Sequence, residues 1–166
     1  MIDGYEIPKD LVFRLSDITE RGGLVCSAPV SAENFKDALE PPGQVLKAEI
    51  RLEFSLGTDS VLVQGLVSAE GRFACSRCLC EFEAAFTSEF EESFSADAEF
   101  IDIMSKTRQA VVLSNEIKRL CREDCKGLCP VCGANLNKSA CACKTDAPPP
   151  FAVLKNRLAA DSKQEN

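Results

Sequence analysis

Histidine is missing from all 166 residues of the sequence. That absence removes the commonest general base, the usual ligand of a catalytic zinc and the side chain that titrates near neutral pH. Most hydrolase mechanisms lose their central residue with it. A zinc deaminase needs a His or Cys ligand beside a catalytic Glu, and the Cys-x-Glu here, Cys121-Arg122-Glu123, lies in no deaminase-like α/β pattern. Tryptophan is absent and tyrosine occurs once, yet 45% hydrophobic and 27% charged residues make an ordinary globular composition. No apolar run approaches the roughly 18 residues needed to span a bilayer. The acidic start Met1-Ile2-Asp3-Gly4 lacks the basic region of a signal peptide, so the expected location is the cytoplasm. Basic residues are also missing locally: eight acids and no Lys or Arg fall between Glu81 and Asp102, a stretch that repels phosphate. With a net charge of −7, the chain is not one that coats nucleic acid by bulk electrostatics.

Cysteine, by contrast, is abundant. Six of ten fall between Cys121 and Cys143, spaced C-x3-C-x3-C-P-V-C-G-x7-C-x-C. In a reducing compartment such paired clusters point to metal ligation rather than to a disulfide scaffold. Thiolate is a soft ligand that suits zinc, and closing four of them around one tetrahedral ion needs sharp turns between ligands. Cys129-Pro130-Val131-Cys132-Gly133 supplies such a turn, because Pro130 fixes one backbone angle and Gly133 can take a positive φ. Cys141 and Cys143 would complete a closed structural site with Cys129 and Cys132. Cys75-Ser76-Arg77-Cys78 offers another pair, and Cys121 with Cys125 would make these a second four-thiolate site, stapling the sheet to the C-terminal region. Cys125 could instead join the distal group, or the hairpin pair could bind no metal. Cys26 reads as a small buried residue and Cys80 as a bystander.

The remaining pattern predicts an α+β fold: an antiparallel β-meander sheet with packed helices and a C-terminal cysteine-rich zinc-binding segment. Leu11 to Leu15 and Leu24 to Cys26 read as two short strands joined through Arg21-Gly22-Gly23. Ser31 can cap a helix from Ala32 to Leu39, stopped by Pro41-Pro42-Gly43. Leu46, Ala48, Ile50, Leu52, Phe54 and Leu56 alternate with polar residues, the signature of a half-buried strand. Gly57 to Ser60 turns it into a strand from Val61 to Ala69, and Glu70-Gly71 reads as a further turn into Arg72 to Cys75. After the CxRC hairpin a strand returns with Phe82, Ala84, Phe86 and Phe90 on one face and Glu81, Glu83 and Glu89 on the other. Ile101 to Leu120 suits a helix entered through Asp102 and broken near Ser114-Asn115. The predicted organisation is a body over 1–120, the zinc-binding segment over 121–144, and a proline-rich linker with a short C-terminal helix (Phe151 to Leu158) and polar tail over 145–166.

The hairpin Cys75-Ser-Arg-Cys-Leu, the acidic Phe-rich strand, and Cys125-Lys-Gly-Leu-Cys-Pro-Val-Cys-Gly-Ala-Asn-Leu-Asn137 followed by C-x-C together resemble the bacterial YceD family, in an order spanning roughly residues 30 to 158. The resemblance implies a non-enzymatic role in accumulation of large-subunit ribosomal RNA and so in large-subunit biogenesis. Partner contact is expected with ribosomal RNA or a large-subunit ribosomal protein, not with a membrane or a small-molecule substrate. From Lys118 to Lys144 six basic residues stand against two acids, a net +4, and Arg119, Arg122 and Lys126 are the candidate RNA or partner contacts. The alternative expectation is a zinc-thiolate redox switch or an iron-sulfur protein, since Cys125-x3-Cys129-x2-Cys132 has the spacing used by radical S-adenosylmethionine enzymes. Those enzymes, however, need a large α/β barrel after the motif.

Overall fold

In the computed structural model, residues 6–114 and 118–144 are described. The expected linker, C-terminal helix and tail over 145–166 lie outside the described residues. The chain forms two compact units, Met1–Cys125 and Lys126–Asn166. All the regular elements named below belong to the first.

That unit is mostly antiparallel β-sheet with a few helices. Strands β2 (Leu24–Val30), β3 (Gln44–Leu56), β4 (Ser60–Ala74) and β5 (Glu81–Ser95) form a meander in the order β2-β3-β4-β5. The short strands β1 (Val12–Arg14) and β6 (Phe100–Asp102) pair separately. Alternation in β3 works as the sequence predicts over Ala48 to Phe54, whose apolar residues are buried while Glu49, Arg51 and Glu53 are exposed. A register shift between Val45 and Lys47 inserts one extra residue, so Val45 rather than Leu46 turns fully inward. Leu56, at the strand end, stays partly exposed.

Four expectations need correction. Residues Leu15–Glu20 form a helix, α1, between the two N-terminal strands; its buried Leu15 and Ile18 lie three apart on one face. The helix expected from Ala32 to Leu39 is a short 3-10 helix, Ala32–Phe35. Ser31 does cap it, its Oγ accepting from the Glu33 amide at 3.3 Å. The bonds that follow, Asn34 to Ser31 and Ala38 to Phe35, are of the i to i+3 type that keeps such helices short. Glu70-Gly71 makes no turn, because β4 continues unbroken through it. A Cβ at Gly71 would stand 2.6 Å from the Phe73 ring and 3.2 Å from the Gln44 carbonyl, so glycine here admits a close approach inside a strand. Finally, helix α2 runs only over Ile103–Leu113. Ile101 and Asp102 are strand, and Asp102 caps the helix by accepting from the Ser105 amide at 3.2 Å.

One sheet face carries the core. Ile50, Leu52, Phe54, Val63, Val67 and Phe73 are buried there with Phe13, Ile18, Phe35, Ile101, Ile103 and Val111 from the covering elements. Phe13 and Phe54 meet with ring centroids 4.9 Å apart. Buried Ser88 satisfies itself by donating to the Ala110 carbonyl at 2.7 Å, tying β5 to α2. The opposite sheet face is polar, as one-sided antiparallel sheets allow. On β5, Glu81, Glu83, Glu89 and Glu91 are exposed there, whereas Glu92 turns to the other side and meets Lys106 at 2.9 Å. Cys26 sits in the core as expected, and burial pushes its thiol up to about 11.

Candidate metal centres

Strand β4 ends at Ala74 and β5 begins at Glu81, so Cys75 to Cys80 form the tip of the hairpin. The tip closes on itself through bonds from the Leu79 amide to the Cys75 carbonyl and from the Cys75 amide to the Cys80 carbonyl, both 2.9 Å. The segment after α2 returns to this tip. Its approach is fixed by Arg119, whose guanidinium stacks 3.9 Å from the Phe73 ring centroid and 5.3 Å from that of Phe86. Nη2 of Arg119 also donates to the Ser114 carbonyl at 3.1 Å, and its own carbonyl accepts from the Ser76 amide at 2.9 Å. Arg77 then donates to the Cys125 carbonyl at 2.9 Å. These contacts bring Cys121 and Cys125 against Cys75 and Cys78.

The resulting group has its four sulfurs within 4.8 Å of one another. Cys75 and Cys125 are 3.7 Å apart, as are Cys78 and Cys121. A disulfide would need about 2.05 Å. Four thiolates at about 2.3 Å from one tetrahedral zinc ion stand about 3.8 Å from each other, so the spacing fits a shared ion. Cys75, Cys78 and Cys125 are buried.

A second group forms within the Lys126–Asn166 unit from Cys129, Cys132, Cys141 and Cys143, whose sulfurs also lie within 4.8 Å of one another. Gly133 adopts φ +72°, and its amide bonds the Cys129 carbonyl at 2.9 Å, closing the knuckle. The loop to Cys141 is shaped by two asparagines that sequence reasoning treated only as part of a family pattern. Asn137 accepts from the Lys126 amide at 2.8 Å, and Asn135 accepts from the Asn137 amide at 2.9 Å. For Asn135 the signal lies in the residue type, since Asn side chains bond backbone two residues away in turns, whereas Asn137 reaches an amide eleven positions back. This centre is more open: Cys129 is buried, but Cys132 and Cys143 are exposed.

Each group contains one thiol that ionises easily and others that resist. Burial alone would push Cys75 up, but the amides of Cys121, Cys78 and Arg77 donate to its sulfur and bring it down to about 6. The amides of Cys132 and Val131 bring Cys129 down to about 6 likewise. For Cys78 the Cys80 amide favours the thiolate, yet burial and the sulfurs of Cys75, Cys125 and Cys121 push it up to about 12. Sharing a proton with Cys132, together with burial, pushes Cys143 up to about 12. Burial raises Cys121; the Cys129 sulfur and burial outweigh the Cys143 amide and raise Cys141. Crowded thiolates repel, and a divalent cation between them removes the repulsion. Each group can therefore hold a metal ion.

Of the other sequence candidates, Arg119 is committed to the ring stack, Arg122 pairs with Asp124 at 3.2 Å, and Lys126 is exposed. Cys80 lies outside both groups. Cys125 falls in the hairpin group, while Cys129 and Cys132 fall in the other.

Fold and site define a mainly antiparallel β-protein carrying two four-cysteine centres of metal-binding geometry. Residues 95–156 match the family described as "Large ribosomal RNA subunit accumulation protein YceD". The match is narrower than the resemblance across residues 30 to 158. Over 50 residues the chain is 44% identical to "Large ribosomal RNA subunit accumulation protein YCED homolog 1, chloroplastic" of Arabidopsis thaliana, covering 30% of this chain and 16% of that protein. The Zea mays protein of the same name is 47% identical over 51 residues, covering 30% and 17%. An uncharacterized protein of Mycobacterium tuberculosis is 32% identical over 111 residues, covering 57% of this chain and 53% of its own. The chain thus spans about half the length, or less, of the curated relatives it matches. No solved structure matches it. No helix among the described residues is long and apolar enough to cross a membrane.

Proposed function

We propose that this protein is a zinc-stabilised, non-enzymatic cytoplasmic factor that supports accumulation of large-subunit ribosomal RNA, and so large-subunit biogenesis, by binding a ribosomal component. The observation that carries the reading is the family match over residues 95–156, which takes in six of the ten cysteines and all of the second centre. The reading of zinc is supported by the donor set, four sulfurs in each centre, which zinc fills as a closed structural site. Zinc would be held by Cys75, Cys78, Cys121 and Cys125 in one centre and by Cys129, Cys132, Cys141 and Cys143 in the other, neutralising thiolates and locking loops.

Between the two classes of partner, a basic ribosomal protein is favoured over RNA. Arg119 is occupied by aromatic rings, Arg122 by Asp124, and the exposed face of β5 presents Glu81, Glu89 and Glu91. Cells depleted of this protein should show a lower ratio of mature large-subunit to small-subunit ribosomal RNA, restored by the wild-type chain. An unchanged ratio on depletion would sink the proposal. Retention of naked ribosomal RNA at low salt, lost at high salt, would reverse the preference for protein.

A further inference from the structure

We infer that the distal centre is an oxidative modification site, where hydrogen peroxide joins Cys132 to Cys143 as a disulfide and frees the metal while the hairpin centre stays intact; this rests on the reading of both centres as zinc-holding. The two centres offer the same four sulfurs and differ in what covers them. In the hairpin centre Cys75 is 0% exposed, Cys125 3% and Cys78 4%. Of the distal four Cys129 alone is buried, while Cys132 and Cys143 are exposed. Cys132 stands within a run of exposed residues from Pro130 to Gly133. A shielded zinc thiolate is inert, whereas an exposed one meets small oxidants from solution.

Contacts among the distal sulfurs single out one pair. The Cys143 sulfur bonds chiefly with that of Cys132, and the Cys141 sulfur with that of Cys129. Backbone amides divide the four in the same way. Cys129 accepts from the amides of Cys132 and Val131, and Cys141 from that of Cys143. Such bonds stabilise a thiolate and so blunt it as a nucleophile. The hairpin sulfurs of Cys75 and Cys78 are protected likewise, by the amides already named. Cys132 and Cys143 are thus the pair that is both exposed and in contact.

Metal binding keeps these sulfurs as thiolates. The Cys132 thiolate attacks one peroxide oxygen, the O–O bond breaks and hydroxide leaves, so that a sulfenic acid remains on Cys132. The Cys143 thiolate then attacks that sulfur, a second hydroxide leaves and the S–S bond forms. Two thiolates lose two electrons in all, and the peroxide takes up both as it becomes two hydroxides. Sulfurs already within 4.8 Å of one another need only close to about 2.05 Å. Two thiolates then remain where four closed the site, too few to hold a structural zinc ion. Gly127 and Cys129 are the only buried described residues in 126–144, so that segment loses its order with the ion. The hairpin centre keeps its sulfurs, and the segment that completes it keeps the stack of Arg119 on Phe73 and Phe86. Peroxide is thereby converted into an order–disorder change confined to one unit, reversed by a thiol reductant and zinc.

The test titrates the full, zinc-loaded chain with hydrogen peroxide, follows zinc release with a chromogenic chelator, and maps disulfides by mass spectrometry after alkylation of the remaining thiols. The expected result is loss of one zinc ion with formation of a Cys132–Cys143 disulfide, while Cys75, Cys78, Cys121 and Cys125 are still recovered as thiols. The second ion should leave roughly tenfold more slowly or slower still. Hydrogen exchange should show protection lost in 126–144 and kept in β2 to β5. Cys132→His keeps four donors but removes the sulfur that is attacked, so it should retain zinc through the same treatment. Wild-type mapping decides the matter even if that variant loads poorly. A first disulfide other than Cys132–Cys143, release of both ions at one rate, or a disulfide formed with no zinc released overturns the inference. If the untreated chain holds two zinc ions and loses them together, this inference alone falls; if it holds none, the zinc reading falls with it.

Discussion

Replacing Arg119 with alanine separates an architectural arginine from one that touches RNA. The guanidinium lies over Phe73 at 3.9 Å and Phe86 at 5.3 Å and donates to the Ser114 carbonyl at 3.1 Å. A desolvated cation–π contact contributes up to about 2 kcal/mol. A hydrogen bond from a charged group adds about 1.5 kcal/mol when it is only partly buried. Arg119→Ala should therefore destabilise the chain by about 3 kcal/mol, and the melting midpoint should fall by roughly 8 °C for a domain of this size. Arg122 provides the control. Its ion pair with Asp124 has side chains 49% and 80% exposed, so Arg122→Ala should cost below about 1 kcal/mol. Arg119→Lys keeps the charge but loses the planar stack and the fork, so it should recover less than half of the loss. Melting is measured on metal-loaded and on chelated protein, since the metal centre restrains the same segment. If Arg119→Ala melts within 2 °C of wild type in both states, or Lys restores full stability, the stack is not what docks residues 118–125.

The remaining predictions concern the metal. Elemental analysis should give two zinc ions per wild-type chain and one for the Cys75→Ser, Cys78→Ser double variant; two ions in the variant would break the assignment of the hairpin centre. Chelation should abolish hydrogen-exchange protection in residues 126–144, where Gly127 and Cys129 are the only buried described residues, while β2 to β5 keep theirs. Structural zinc contributes about 10 kcal/mol or more of folding free energy, more than so small an element can replace by apolar burial. Protection that survives chelation there would refute a metal-dependent fold. Because Cys78 and Cys121 in one centre and Cys141 and Cys143 in the other are raised, they are protonated at neutral pH without metal. Loading must expel those protons, so apparent metal affinity should rise with pH and fall on acidification, with about two or more protons released per ion. Calorimetry in buffers of different ionisation enthalpy counts them, and zero release would contradict the raised thiols.

Local pattern was legible where one physical rule acted alone. The period-two alternation from Ala48 to Phe54, the Asp102 and Ser31 caps, and the knuckle at Cys129 to Gly133 each depend on residues within a few positions of one another. Errors arose where two rules competed. Gly71 satisfies the turn rule and the close-approach rule equally, and only the position of the Phe73 ring decides between them. Six residues of α1 are too few to display a helical period, and the extra residue at Val45 to Lys47 is invisible until β4 supplies the register.

The cysteine spacing by itself determined that this chain would carry sulfur-rich centres, because paired thiols at short separation limit what the backbone between them can do. The acidic character of β5 is likewise written in its own composition. Only the tertiary structure decided which cysteines share a centre, since Cys75 and Cys125 stand fifty positions apart and meet at 3.7 Å through the hairpin and the Arg119 stack. It likewise turned Arg119 from a free positive charge into a strut, and put Leu79 in a conformation that sequence alone would assign to glycine. Such outcomes depend on long-range packing, where the environment of a side chain is made by residues that the local sequence does not contain.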